Sequence, residues 1–420
     1  MAAIRALWRV AVLALAIGAA GAGLAAARPA AAAPARPAIG HVFVIVLENK
    51  GFADTFGPHS RAPYFARTLT KRGVLLTQYF GTAHYSLGNY LAMISGQGGT
   101  PETRDDCEVF ADFVSSGTTP DGQAIGRGCV YPATVHTLPD ELAAVHKRWR
   151  GYLQDMGNDR QRESATCGNP KLGADDPTQR AEPPSAAVPK GDQYAARHNP
   201  FVYFHSLIDG PACAENVVSL EQLPADLAAR ERTPEFVFIS PNLCDDGHDA
   251  PCVDGKPGGL VSADAFLKEW VPRILASPAY RHDGLLVITF DEGDADAVTL
   301  PGGGRQVEFA GASCCNQQPG PNIGPFPQTS TEENTTLRLG SFGGDRTGAV
   351  LLSRFLSPGT TASTPFNHYS LLKTLEDIYG TGGHLGYAGQ QGLVGFFDPQ
   401  SDIRLQPRAG RIGAGGRRSQ

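Results

Sequence analysis

A chain of 420 residues, 41% of them hydrophobic, is long enough to bury a large core as one big domain or two smaller ones. Its 36 Lys and Arg against 42 Asp and Glu give a formal net charge of −6, which excludes the global basic field of a nucleic-acid binder. The 50 glycines and 32 prolines predict many loops but fall short of a low-complexity composition.

The N-terminus has the layout of a secretory signal peptide over residues 1–33. Arg5 and Arg9 form the basic start, Ala11 to Ala27 the apolar stretch, and Ala31 to Ala33 supply small residues for cleavage. A membrane anchor is the competing reading, but a run made mostly of Ala and Gly inserts weakly. The protein is therefore expected to be secreted, or retained at the cell envelope, with no integral membrane association and as a monomer. Eight cysteines on an exported chain favour disulfides. Spacing suggests Cys107–Cys129, Cys167–Cys213 and Cys244–Cys252, which leaves Cys314 and Cys315 as a neighbouring pair. A zinc–thiolate cage is disfavoured because no CxxC spacing occurs.

After a linker at 34–40, the apolar run at 41–47 reads as a buried strand. Residues 62–73 read as a helix ended by Gly73, 74–80 as a strand, and 86–96 as a turn running into a helix ended by Gly96. Residues 98–135 and 155–195, rich in Gly, Pro, Asp and Ser, read as long loops pinned by disulfides, with a helix over 138–153 between them. Then come a strand ending near Pro241, a helix capped by Ser262, a fully buried strand from Gly284, a further strand at 349–355 and a helix at 368–380. This alternation predicts an α/β domain spanning 41–398, built on a central, mostly parallel sheet flanked by helices. The basic segment 399–420 is expected to be a disordered tail.

Two buried strands end in oxygen-bearing side chains, Glu48–Asn49 and Asp291–Glu292. In parallel sheets ligands sit beyond the carboxyl ends of the strands. Adjacent carboxylates there repel unless a cation joins them. Oxygen-rich ligation points to Mg²⁺, Ca²⁺ or Mn²⁺, or to zinc or iron if histidine takes part. Ser86 falls at the predicted strand-to-helix turn, where a helix N-terminus favours an anion, and its hydroxyl is a candidate nucleophile for attack on phosphorus. Its bland alternative is a helix cap. Thr82 is a second hydroxyl nearby. Asn242, Asp245, Asp246 and His248 follow another strand, and His368 precedes a helix; either histidine suits protonation of a leaving alkoxide or a grip on a phosphate oxygen.

The segments HVFVIVLEN, APYFARTLTKRGVLLTQYF, AHYSLGNYLAMISGQ, HNPFVYF, FISPNLCDDGHD, GLLVITFDEGD and NHYSLLKTLEDIYG occur in the order seen in the bacterial phosphoesterase family, which the chain resembles from 41 to about 390. That family includes secreted acid phosphatases, phosphatidylinositol-3-phosphate phosphatases and phospholipases C. The resemblance implies an alkaline-phosphatase-like fold and a divalent metal held by Glu48, Asn49, Ser86, Asp291 and Glu292. It also implies a phosphate pocket lined by His84, His248 and His368, to which we assign Asn89 and Asn242 as further substrate contacts. Two prolines of the family's segment are replaced by Tyr85 and Gly88, which predicts a looser turn. The expected function is a phosphomonoesterase acting through a phosphoseryl intermediate on a phosphate ester, a phosphoinositide among the candidates. The alternatives are a phospholipase C-type phosphodiesterase or a non-catalytic exported binding protein.

Overall fold

A computed structural model describes residues 37–406 apart from 302 and 333; the expected signal peptide, and the tail beyond 406, lie outside the described residues. These residues belong to one compact unit. Its centre is an eight-stranded sheet, counted among the described residues. In chain order the strands are β1 (His41–Leu47), β2 (Val74–Leu76), β3 (Trp149–Leu153), β4 (Val217–Ser219), β5 (Phe236–Ser240), β6 (Gly284–Phe290), β7 (Ala349–Ser353) and β8 (Thr360–Ala362). They lie side by side in the order β8-β2-β7-β6-β1-β5-β3-β4. Only β7 runs against its neighbours; every other pairing is parallel.

The strands read as continuous apolar runs because both sheet faces are covered. Along β1, Val42, Val44 and Val46 pack into one core, while Phe43, Ile45 and Leu47 pack into the other. The first core takes α1 (Ser86–Ser95) through Leu87, Tyr90, Leu91 and Ile94. The second takes a later helix, Gly259–Ala276, through Phe266, Leu267, Val271 and Ile274. That helix begins at Gly259, so Ser262 lies inside it rather than capping it; its hydroxyl instead accepts from Gly258 N–H at 3.1 Å.

The helix expected over 138–153 stops early. A Thr137 capping box starts α2 (Leu138–Ala144), and His146 at φ 56° ends helical geometry. The remainder is β3, which pairs with β5 and β4. Gly151 shows why this stretch suits a packed strand: a Cβ there would come within 2.6 Å of the Phe201 ring. The three cysteine pairs suggested by spacing form, and the remaining neighbours Cys314 and Cys315 are also joined. The packed domain also runs past the expected boundary at 398: Leu405 bridges Leu356, and the Asp402 carboxylate accepts from the backbone N–H groups of Ser363 and Thr364.

The later helix Gly259–Ala276 is α3, and α4 spans His368–Tyr379 behind its cap, Asn367. Glu376 of α4 is buried beside α2, accepts from Leu385 N–H at 2.7 Å through one oxygen, and leaves the other without a partner. Burial pushes its pKa up to about 9. A raised carboxyl pKa costs stability that is absent below the unfolded value and grows as pH climbs towards the folded one. Glu376→Gln should therefore leave stability unchanged near pH 4 and raise it by on the order of 2 kcal/mol at pH 7.5, as read by denaturation at the two pH values.

Candidate active site

The carboxyl ends of β1, β5 and β6 lie side by side, and the chain leaves each in a tight turn. Glu48 N–H donates to Asp246 O at 2.9 Å, Asp291 N–H to Leu47 O at 2.9 Å and Asn49 N–H to the Asp291 carboxylate Oδ1 at 3.0 Å, so three strand ends are stitched together by backbone and one side chain. Asn49 takes φ 56° to make that turn. The Cys244–Cys252 disulfide closes the loop that carries Asp246 and His248.

α1 delivers Ser86 to this edge. The hydroxyl donates to Glu48 Oε2 at 2.7 Å, and Tyr90, one helical turn on, donates to Glu48 Oε1 at 2.5 Å. Tyr85 enters the helix at φ 69°, a value proline cannot adopt, so the replacement of proline at 85 is matched by a different backbone. The turn is not loose. The Asn89 carbonyl oxygen accepts from the N–H groups of Thr82 (2.7 Å) and Ala83 (3.0 Å), and its amide donates to Ala83 O (2.9 Å). Asn89 thus spends its amide on shaping the loop.

Glu48, Asp246 and Asp291 are all wholly buried. Burial raises Glu48 and Asp246 well above the ordinary carboxylate range; Asp291 and Asp246 push Glu48 further. Asp291 Oδ2 and Asp246 Oδ2 have no hydrogen-bond donor. His198 completes the group. Its Nε2 lies 3.4 Å from Glu48 Oε2 and its Nδ1 3.2 Å from Asp246 Oδ2, with hydrogen-bond geometry to neither. Burial first, then Arg197 and His248, hold His198 well below the usual imidazole range, which keeps it neutral. It stacks on Tyr90 with ring centroids 5.3 Å apart. Glu48, Asp246 and the neutral His198 bring ligand atoms within 4.8 Å of one another, and with the unpartnered Oδ2 atoms of Asp246 and Asp291 they form a donor set that suits a divalent cation.

The structure brings together Glu48, Asn49, Ser86 and Asp291 of the sequence-derived ligands, and adds His198 and Asp246. Glu292 lines the adjoining pocket of about 340 Å³ with Asn49, Ser86, His248 and Phe309. Its carboxylate, however, is in contact with His84 Nδ1. His84 sits between Glu292 and Asp345, with Nε2 2.7 Å from Asp345 Oδ2. Both ring nitrogens are committed, and the two carboxylates overcome desolvation to raise it to about 9. His84 therefore braces Glu292 and leaves no ring nitrogen uncommitted. Asn242 is likewise spent: it donates to Asp155 at 2.7 Å and accepts from Cys244 and Asp245 N–H.

His248 lies on the pocket, its Nδ1 2.8 Å from Asp249 Oδ1. His368 does not. It is wholly buried, with Nδ1 3.0 Å from the Tyr79 hydroxyl and Nε2 2.5 Å from Asp291 O. Burial lowers it to about 4, so it is neutral at working pH and holds the Asp291 backbone. His368→Gln should lower kcat about tenfold by letting Asp291 shift, while the pH–rate profile from pH 5 to 8 keeps its shape. Loss of one limb of that profile would instead assign His368 to proton transfer.

His198 was within reach of sequence reasoning, since it opens the HNPFVYF segment. No periodicity marks it as a ligand, because it sits in a short turn, Ala196–His198, that folding alone places against α1.

The family model of the Phosphoesterase family matches residues 59–382. The phosphate-repressible acid phosphatase of Penicillium chrysogenum is 25% identical over 226 residues, 54% of this chain and 42% of that one. The phosphatidylinositol-3-phosphatase of Mycobacterium tuberculosis is 25% identical over 348 residues, 82% of this chain and 78% of that one. The chain thus spans less than half the length of the first of these relatives. Among solved structures, an alkaline phosphatase superfamily protein from Vibrio parahaemolyticus aligns with 81% of this chain and 66% of its own, at 11% identity and a TM-score of 0.42. With more than half of its residues matched by that family's model, the chain belongs to the Phosphoesterase family.

Proposed function

We propose that the protein is an exported, metal-dependent phosphomonoesterase that works through a phosphoseryl intermediate at Ser86. The observation that carries the reading is the Ser86 hydroxyl on Glu48 Oε2 at 2.7 Å, at the N-terminus of α1 and beside the buried donor cluster. Glu48 accepts the hydroxyl proton as Ser86 Oγ attacks phosphorus and the ester oxygen leaves, and returns it to Ser86 Oγ when the phosphoserine is hydrolysed. The N-terminus of α1 offers positive potential to the phosphoryl oxygens. His248, at the pocket wall, supplies a proton to the leaving alkoxide and then takes one from the water that hydrolyses the phosphoserine. Glu48, Asn49, Asp246, Asp291 and His198 would hold the metal; when bound, it neutralises phosphoryl charge and lowers the pKa of the serine hydroxyl. The four disulfides support export. Among the described residues no helix is long and apolar enough to cross a membrane.

The test is hydrolysis of p-nitrophenyl phosphate by purified protein before and after chelation, with Mg²⁺, Mn²⁺, Ca²⁺, Zn²⁺ and Fe²⁺ added back singly. Chelation should cost at least ~10²-fold in kcat, restored by one or two of these ions. Full activity in the chelated protein would refute the metal requirement. Turnover of phosphatidylcholine without turnover of the monoester would move the assignment to a phosphodiesterase.

A further inference from the structure

Tyr85 lines the catalytic pocket and also a second cavity of about 250 Å³. The walls of that cavity combine an apolar side, Ile323 and Leu337, with Arg104, Asp105, Gln328 and Ser330. Arg104 is the unusual member. It is only 6% exposed, donates from Nη1 to Gln328 Oε1 at 3.3 Å, and finds no acceptor for Nε or Nη2. Its guanidinium lies 4.9 Å over the Phe326 ring. A buried guanidinium with unanswered donors is costly to keep, and its planar fork matches a phosphate better than any other side chain does. Tyr85, common to both walls, places this cavity next to the catalytic pocket.

We propose that this second cavity is a subsite for a further phosphate on the leaving-group side of the substrate, with Arg104 as its ligand, so that the protein selects phosphate monoesters that carry another phosphate. The inference rests on the reading of Ser86 as the site of phosphomonoester cleavage. The apolar wall beside Arg104 takes the ring that separates the two phosphates. Asp105 on the same wall disfavours a second anion unless the guanidinium outweighs it, which makes Arg104 the determinant of preference. Two sources share this chemistry: a soluble sugar bisphosphate and the phosphodiester of an inositol lipid.

The experiment is calorimetric binding to the Ser86→Ala protein, in which ligand is bound but not consumed. Glucose 1,6-bisphosphate is compared with glucose 6-phosphate, and short-chain phosphatidylinositol 3-phosphate with inositol 3-phosphate. Each doubly phosphorylated ligand should bind about tenfold tighter than its partner, and the pair with the larger ratio identifies the source. In Ser86→Ala/Arg104→Met both ratios should fall to near one. Arg104→Lys, which keeps the charge and loses the fork, should retain part of the preference and lose it as salt rises; this variant carries the test if the methionine protein fails to fold. A ratio near one in Ser86→Ala itself overturns the proposal. So does a ratio that survives Arg104→Met, which would leave Arg104 as a packing residue hydrated from the small internal space it shares with Gln317. Absence of p-nitrophenyl phosphate turnover by the unsubstituted, metal-supplied protein, with the ratios intact, sinks the phosphomonoesterase reading alone.

Discussion

Ser86→Ala should lower kcat for p-nitrophenyl phosphate by roughly 10³-fold or more while the protein remains folded. The change removes one oxygen from the first residue of α1, whose entry is fixed elsewhere by the Asn89 bonds to the 82–85 loop. Leu87 N–H also keeps its acceptor, Asp106 Oδ1 at 3.0 Å. Stability should therefore fall by only about 1–3 kcal/mol, since Glu48 Oε2 loses its donor while Oε1 keeps its bond from Tyr90. The measurement that separates mechanism from mere impairment is an acid quench after a single turnover of labelled substrate. Phosphoserine should accumulate in the unsubstituted protein and be missing from the variant. Thr82 is the competing nucleophile, but its hydroxyl is buried and donates to Asn89 Oδ1 at 3.2 Å. A fully active Ser86→Ala protein would return the role to Thr82 or to a water molecule.

The contrast between what was legible and what was not follows from how each feature is encoded. The strands at 41–47 and 284–290 are readable because both sheet faces demand apolar side chains, and the ligand-bearing residues follow because strand ends point to one edge. Spacing suggested three of the cysteine pairs but could not fix the connectivity, because which cysteines meet depends on how the loops fold. Residues 138–153 misled because a good helix start, the Thr137 box, precedes residues whose fate is set by pairing with β5 and β4, contacts distant in sequence. The same limit applies at the site. That Glu48, Ser86 and Asp291 converge could be inferred from element order. That Asn89, Asn242, His84 and His368 are spent on neighbours could not, since each partner, whether a loop amide, Asp155, Asp345 or the Asp291 carbonyl, comes from the packing. His198 enters the donor cluster for the same reason, through a turn without regular periodicity.

The buried cluster makes a second, sharper prediction, in which one substitution acts with opposite signs. Asp291→Asn keeps the acceptor that receives Asn49 N–H and removes one negative charge from beside Glu48 and Asp246. In chelated protein this relieves repulsion in a buried site, so the variant should be more stable than the parent by on the order of 2 kcal/mol. With metal supplied, the order should invert. A ligand that binds only the folded state stabilises it by about 2.7 kcal/mol at a hundredfold excess over Kd, and loss of a carboxylate donor should weaken metal binding by at least ~10²-fold. Thermal unfolding of both proteins, chelated and metal-supplied, reads all four values, and kcat should fall in the variant along with metal affinity. If Asp291→Asn is less stable in both conditions, Asp291 serves the fold through its strand-end bonds. If metal raises both melting temperatures equally, the cation is held elsewhere. Only the crossing of the two orders ties the strain of three buried carboxylates to the ion that resolves it.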